Sequence, residues 1–326
     1  MPRSNRSIPR RILILALITA CRPSPAPRPA PPAPAVAPSV PPPSVVAAPP
    51  RTIQVNGTVL TFRLLGDQGT PVVFVHGSGG DLDSWAQQTD TFARTHRVLV
   101  YSRRYHPPNP PIDDGRVYSP LLHAEDLAAL LAALGLTPAH IVGSGYGAYV
   151  AIELALTHPE LVRSLVIGEP PVIPLLLRTP EGDSTRRVFV AGVLDPARNA
   201  FARGDSVAAL RAFVDGLSNS PGRFDNLPGP SRERILAHTF ELRREMLADR
   251  QQYLPALDCA GLGRLTVPVL LLQGDRSARM FHLITTELAR CMQSDTVITI
   301  LGARHGMQVA NPGFYNRTVL RYLDAH

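Results

Sequence analysis

The chain has 326 residues, 44% of them hydrophobic, which suffices for one large buried core with appendages. Its formal charge of +7 is carried by arginine alone, since no lysine occurs, and four of those arginines precede Cys21 in a stretch without an acidic residue; removing the four takes +7 to +3. The remaining arginines are scattered and not interleaved with aromatic residues, so no nucleic-acid partner is expected.

Arg3, Arg6, Arg10 and Arg11 form a basic start, Ile12 to Ile18 a short apolar run, and Ile18-Thr19-Ala20-Cys21 has the form of a lipoprotein cleavage site. The run is too short to span a bilayer. Residues 1–20 therefore read as a signal peptide, with an ordinary secretory signal cut nearby as the alternative. Cys21 is the expected lipidation site, and the protein is expected to be exported and anchored in a bacterial envelope. Residues 21–50 are nearly all Pro, Ala, Ser and Val beyond the cysteine, a composition that builds no core and suits a semi-rigid spacer. With Cys21 lipidated, Cys259 and Cys291 remain; in an oxidising compartment they are a disulfide candidate, the alternative being two separate buried thiols.

From Arg51 onward strand and helix signals alternate. Thr52 to Val55 and Val59 to Leu64 flank Asn56-Gly57, a two-residue hairpin signal. Pro71 to Val75 is a continuous apolar run of the kind buried in a parallel sheet. Strands are predicted at Val98 to Tyr101, Ile141-Val142, Leu165 to Ile167, Val267 to Leu272 and Thr296 to Leu301. Helices are predicted at Leu121 to Leu134, Gly147 to Thr157, Phe281 to Cys291 and Tyr315 to Leu323. This alternation implies a mostly parallel, doubly wound α/β sheet. Between about residues 171 and 262 strand signals stop. Asp205 is a plausible N-cap for one helix there, and Ile235 to Met246 reads as another, amphipathic one. A helical insertion between core strands is well placed to form a cap over the sheet's carboxyl edge, where open α/β sheets bind ligands.

Several motifs fall on that edge. Val142-Gly143-Ser144-Gly145-Tyr146-Gly147-Ala148 lies between a strand and a helix, the context of a G-x-S-x-G nucleophile elbow, but reads G-x-G-x-G. Gly145 therefore occupies the nucleophile position without a side chain, and Ser144, one place earlier, is a possible substitute. His76-Gly77-Ser78-Gly79-Gly80 can form an oxyanion turn, with the Ser78 and Tyr146 N–H groups as donors. His305, between Gly302 and Gly306, is the candidate base. Glu169, in Gly168-Glu169-Pro170-Pro171, is the preferred acid, because Pro170 ends the strand abruptly and leaves the carboxylate at the ligand edge. Asp275 is the second choice, since Ser277 stands where many related enzymes carry the acid. Ser102-Arg103-Arg104-Tyr105-His106 could line a pocket or pin loops. No cofactor motif and no metal-ligand spacing stands out.

From about Arg51 to His326, these motifs together with His158-Pro159-Glu160-Leu161-Val162 resemble the α/β-hydrolase superfamily, in its bacterial, helical-capped form. The resemblance implies an α/β-hydrolase fold and hydrolysis of small ester- or amide-type substrates, with His305 as base, Glu169 as acid, and Ser78 and Tyr146 as oxyanion donors. The family's serine nucleophile has no counterpart at Gly145. Two other readings stay open, a non-catalytic lipoprotein that binds a small ligand or a protein, and base-catalysed lyase or oxygenase chemistry without a covalent intermediate.

Overall fold

The computed structural model describes residues 49–255, 257–294 and 296–326. The expected signal peptide, the lipidation site Cys21 and all but the last two residues of the proline-rich segment lie outside the described residues. Eight strands form one sheet: β1 (Arg51–Val55), β2 (Thr58–Leu65), β3 (Pro71–Val75), β4 (Arg97–Tyr101), β5 (Ala139–Ser144), β6 (Val162–Gly168), β7 (Val269–Gly274) and β8 (Val297–Ile300). Their spatial order is β1-β2-β4-β3-β5-β6-β7-β8. The β1–β2 and β2–β4 pairs are antiparallel and every other pair is parallel. This is the mostly parallel sheet expected from the alternating signals, in the arrangement that the α/β-hydrolase resemblance implies. Asn56 and Gly57 both have positive φ, 44° and 73°, as a tight hairpin turn between right-twisted strands requires.

The apolar runs are buried on both faces, and the period of two in a strand divides them. Val73, Val75, Ile141, Ile167 and Leu271 pack with Leu131, Val150 and Ile284 on one side. Val72, Phe74, Val142, Val166 and Leu272 pack with Phe92 and Val319 on the other. Helices Pro120–Leu134, Tyr146–Thr157 and Arg279–Cys291 cover the first face, and Ala86–Phe92 and Pro312–Asp324 the second. Among the described residues no helix is long and apolar enough to cross a membrane.

Between β6 and β7 the described chain contains helices and no strand. Asp205 caps helix Ser206–Leu217 by accepting from Ala208 N at 2.9 Å. The single helix expected over Ile235–Met246 is instead two, Gly229–Ala237 and Thr239–Leu247. The break is His238, at φ −88° and ψ 9°, whose ring is buried and lies 3.4 Å from Asp81 Oδ2, so a tertiary contact overrides the helical pattern. Cys259 and Cys291 are joined as a disulfide, with Cα atoms 4.8 Å apart and a sequence separation of 32. The bond ties the returning chain to helix Arg279–Cys291, and closing a loop of that size stabilises by roughly 3–4 kcal/mol in the entropic account.

Candidate active site

The carboxyl ends of five parallel strands and the loops after them bring the site together. Gly145 follows β5 at φ 55° and ψ −126°, a backbone region that strains any residue with a Cβ, and helix Tyr146–Thr157 begins directly after it. The turn is packed from below: a Cβ on Gly147 would lie 2.2 Å from Val75 O, so only glycine allows helix and strand this approach. A Cβ on Gly145 would instead point at His305, 3.0 Å from its Nε2. The elbow is therefore formed and aimed, with nothing projecting from it. Ser144 is buried at the end of β5 and borders the cavity, but its hydroxyl makes no hydrogen bond to His305 among the described residues.

His305 sits in the loop after β8. Its Nδ1 is 2.8 Å from Glu169 Oε2, and because a carboxylate only accepts, the imidazole proton lies on Nδ1 and the Nε2 lone pair faces Gly145. Phe281 stacks on the ring with centroids 4.2 Å apart, fixing its plane. Glu169 is fully buried directly after β6, and its other oxygen accepts from Gly274 N at 2.8 Å. Its φ of 47° is strained for a non-glycine residue, as the exit into Pro170-Pro171 demands. Asp275 is occupied elsewhere: Oδ1 accepts from Ala303 N at 2.9 Å and braces the His305 loop without bonding the imidazole. Ser277 is buried, and its hydroxyl has no hydrogen-bond partner among the described residues.

The Ser78 and Tyr146 N–H groups donate to no protein acceptor among the described residues, and both residues border the same cavity as Gly145 and His305. Two unpaired N–H groups at one cavity wall, one of them at a helix N-terminus, suit developing negative charge. The turn that carries Ser78 is held from two sides. Beneath it, the buried Arg103 guanidinium donates to His76 O at 3.0 Å and Gly77 O at 3.1 Å, while Arg104 is held by Asp126 and Asp114. These arginines pin loops and do not line the cavity. Above it, Glu241 Oε1 accepts from Gly79 N at 2.6 Å and Glu245 Oε1 accepts from Ser78 Oγ at 2.7 Å. Glu245 also accepts from the Tyr253 hydroxyl. Burial, followed by repulsion from Glu245, pushes the Glu241 carboxyl well above its ordinary range.

Sequence reading missed Glu241 and Glu245. A signal was present: both fall at helical spacing beside Leu242 and Met246, two carboxylates on the apolar face of a helix, where an unpartnered charge is costly. The cavity itself has a volume of about 450 Å³. Ile173, Phe189, Leu194, Phe213, Leu254 and Phe281 give it apolar walls, and five of these come from the segment between β6 and the disulfide. A second hollow of about 510 Å³ also borders Ser78 and His305.

Burial, and then the Arg103 charge, hold the imidazoles of His76 and His123 well below their ordinary pKa. Burial, and then Arg163, lower that of His140 to about 4. The unfolded chain takes up these protons near pH 6.5 while the folded chain refuses them, so their contribution to stability is full above that pH. It is lost as the pH falls toward the folded-state values. Ring-proton NMR should show His140 titrating near 4 and His76 and His123 titrating below the ordinary histidine range; midpoints near 6.5 would contradict the burial argument.

The sequence model of the alpha/beta hydrolase fold matches residues 70–312. The chain belongs to the alpha/beta hydrolase fold family. An uncharacterized hydrolase of Bacillus subtilis is 32% identical over 125 residues, 38% of this chain and 46% of that protein. A putative carbamate hydrolase of Azorhizobium caulinodans is 35% identical over 102 residues, 30% of this chain and 37% of that protein. The match thus spans less than half the length of either relative. A putative carbamate hydrolase of Pseudomonas savastanoi pv. phaseolicola is 26% identical over 263 residues, covering 78% of this chain and 93% of that protein. Among solved structures, a Bacillus subtilis carboxylesterase superposes with a TM-score of 0.65 at 17% identity, over 85% of this chain and 92% of its own. At that identity the likeness shows the fold.

Proposed function

We propose that the chain is a hydrolase of small ester- or amide-type substrates in which His305, oriented by Glu169, activates water directly in place of a serine nucleophile. The observation that carries this reading is the empty position at Gly145. A side chain there would meet His305 Nε2 at 3.0 Å, so a water held beside the same lone pair replaces the missing hydroxyl. The imidazole takes the water's proton as the oxygen adds to the acyl carbon, and the Ser78 and Tyr146 N–H groups receive the oxyanion. Collapse of that intermediate expels the alcohol or amine, which takes back the proton from His305. No covalent enzyme intermediate forms. The apolar walls favour an acyl group without charge.

Gly145 favours one further reading, a domain that retains the pocket for binding a ligand without turnover. Steady-state and burst kinetics on short-chain 4-nitrophenyl esters separate the two. Direct water attack gives linear product formation from the first turnover, with no acyl adduct by intact mass, whereas a binding domain gives saturable binding and no turnover. An acyl adduct on Ser144 would sink both.

We also propose that Cys21 carries a lipid that tethers the domain to a bacterial envelope through the proline-rich segment. Support comes from the residues before it, a basic start, a short apolar run and Ile18-Thr19-Ala20-Cys21. Cys21→Ser should move the protein from membrane to soluble fractions, and unchanged membrane association would refute the tether.

A further inference from the structure

His106, His238 and Glu241 reach one buried point from separate parts of the chain. His106 lies in the loop after β4, His238 at the break between helices Gly229–Ala237 and Thr239–Leu247, and Glu241 in the first turn of the second helix. None is more than 1% exposed. Glu241 Oε1 is 3.5 Å from His106 Nδ1 and 3.6 Å from His238 Nδ1, and the ligand atoms that the three residues offer all lie within 4.8 Å of one another. Two buried atoms of this group, His238 Nδ1 and Glu241 Oε2, have no hydrogen-bond partner among the described residues. Buried polar atoms are ordinarily paired, so both point to an occupant.

We propose that His106, His238 and Glu241 bind one divalent cation of the zinc class, which clamps the inserted helices onto the core. Zinc bonds of about 2.0–2.2 Å in a tetrahedral arrangement set neighbouring ligand atoms about 3.4 Å apart, close to the 3.5 and 3.6 Å from Glu241 Oε1 to the two imidazoles. Two imidazoles and one carboxylate suit zinc and its transition-metal neighbours, whereas calcium and magnesium call for oxygen donors throughout. The surroundings orient the ligands. Asp81 Oδ2, 3.4 Å from His238 Nε2, accepts that nitrogen's proton and leaves the Nδ1 lone pair facing Glu241. The Tyr118 oxygen, 3.2 Å from His106 Nε2, can accept a proton there in the same way. His106 Nδ1 is also 2.8 Å from Gly80 O and donates to it in the absence of an ion; metal binding moves that proton to Nε2, where the Tyr118 oxygen accepts it. Arg103 opposes a cation, and the Glu241 carboxyl gives up its proton to bind one, with the Asp81 carboxylate beside His238 offsetting the charge. None of the three ligands borders the cavity at His305, so the ion's work is structural. It fixes Glu241, and through it Gly79 N.

The test uses the untagged full-length chain, stripped with a chelator, dialysed against zinc chloride and counted for bound metal by mass spectrometry. About one zinc per chain should be retained, with a melting temperature several degrees above the stripped form. Cobalt(II) should give the intense visible absorption of a four-coordinate site. His238→Gln and Glu241→Gln should each lower retained zinc to near zero and remove the zinc-dependent shift. His158→Gln, which removes a half-buried pairing with Glu125, should change neither. A wild-type chain that retains no zinc after stripping and reloading would overturn the site, whatever the variants do. So would variants that retain it undiminished, leaving a proton shared between His238 and Glu241 as the occupant.

Discussion

Gly145→Ser is expected to raise hydrolysis of a short chromogenic ester by at least about a hundredfold and to make the protein react covalently with a serine-directed phosphonate at residue 145. The expectation follows from where a side chain would go. The Cβ direction at Gly145 already points at His305 Nε2, the imidazole is already paired with Glu169 at 2.8 Å, and the Ser78 and Tyr146 N–H groups already border the cavity. Loss of the nucleophile in a serine hydrolase costs on the order of a million-fold in turnover, so a partial restoration is easily measured. Two costs hold the gain below that ceiling. At φ 55° and ψ −126° a serine carries about 1–3 kcal/mol of backbone strain, and at 3.0 Å the imidazole must move back by a few tenths of an ångström. The loop after β8 has room to yield, since Gly302 and Gly306 flank the histidine and a Cβ on either would meet nothing. Combining Gly145→Ser with His305→Ala should return the rate to that of the parent or below. An inert, unlabelled Gly145→Ser would show that more than a nucleophile is missing.

Glu169→Gln in the Gly145→Ser background is expected to lower turnover by about ten-thousandfold while leaving substrate binding nearly unchanged. The glutamine can turn either its oxygen or its amide toward Gly274 N, but Gly274 N–H needs an acceptor, which sends the amide nitrogen toward His305 Nδ1. A donor facing Nδ1 forces the imidazole proton onto Nε2 and removes the lone pair that the base requires. The carboxylate is fully buried and holds two partners, so Glu169→Ala would also leave Gly274 N–H and His305 without an acceptor and would confound catalysis with stability. A Glu169→Gln enzyme with an unchanged rate would assign the orienting role elsewhere, with Asp275→Asn the next variant to measure.

The sheet was legible because its runs are local. Pro71 to Val75 is apolar throughout and buried throughout, and Asn56-Gly57 announces its own turn chemistry. The residues after the strands were legible for the same reason: Glu169 before two prolines and His305 between glycines mark abrupt exits at one edge. What escaped was long-range pairing. The break at His238 depends on Asp81, 157 residues away, and no pattern in Ile235 to Met246 records it. Glu241 and Glu245 stand on the apolar face of their helix, but that spacing does not record what they hold, the Ser78-Gly79 turn more than 160 residues upstream. Which carboxylate faces the imidazole likewise depends on distant partners: Ala303 N–H takes Asp275, and Glu169 pairs with His305.

The central claim, that the His305–Glu169 pair works on water without a residue at position 145, is tested most directly by comparing initial rates of the parent chain and its His305→Ala variant on a short-chain 4-nitrophenyl ester. General-base assistance contributes typically about 10²–10⁴-fold, so the parent should turn over slowly but measurably, and His305→Ala should fall by that factor with its fold intact by circular dichroism. Equal rates for the two, at or above the uncatalysed background, would contradict the account.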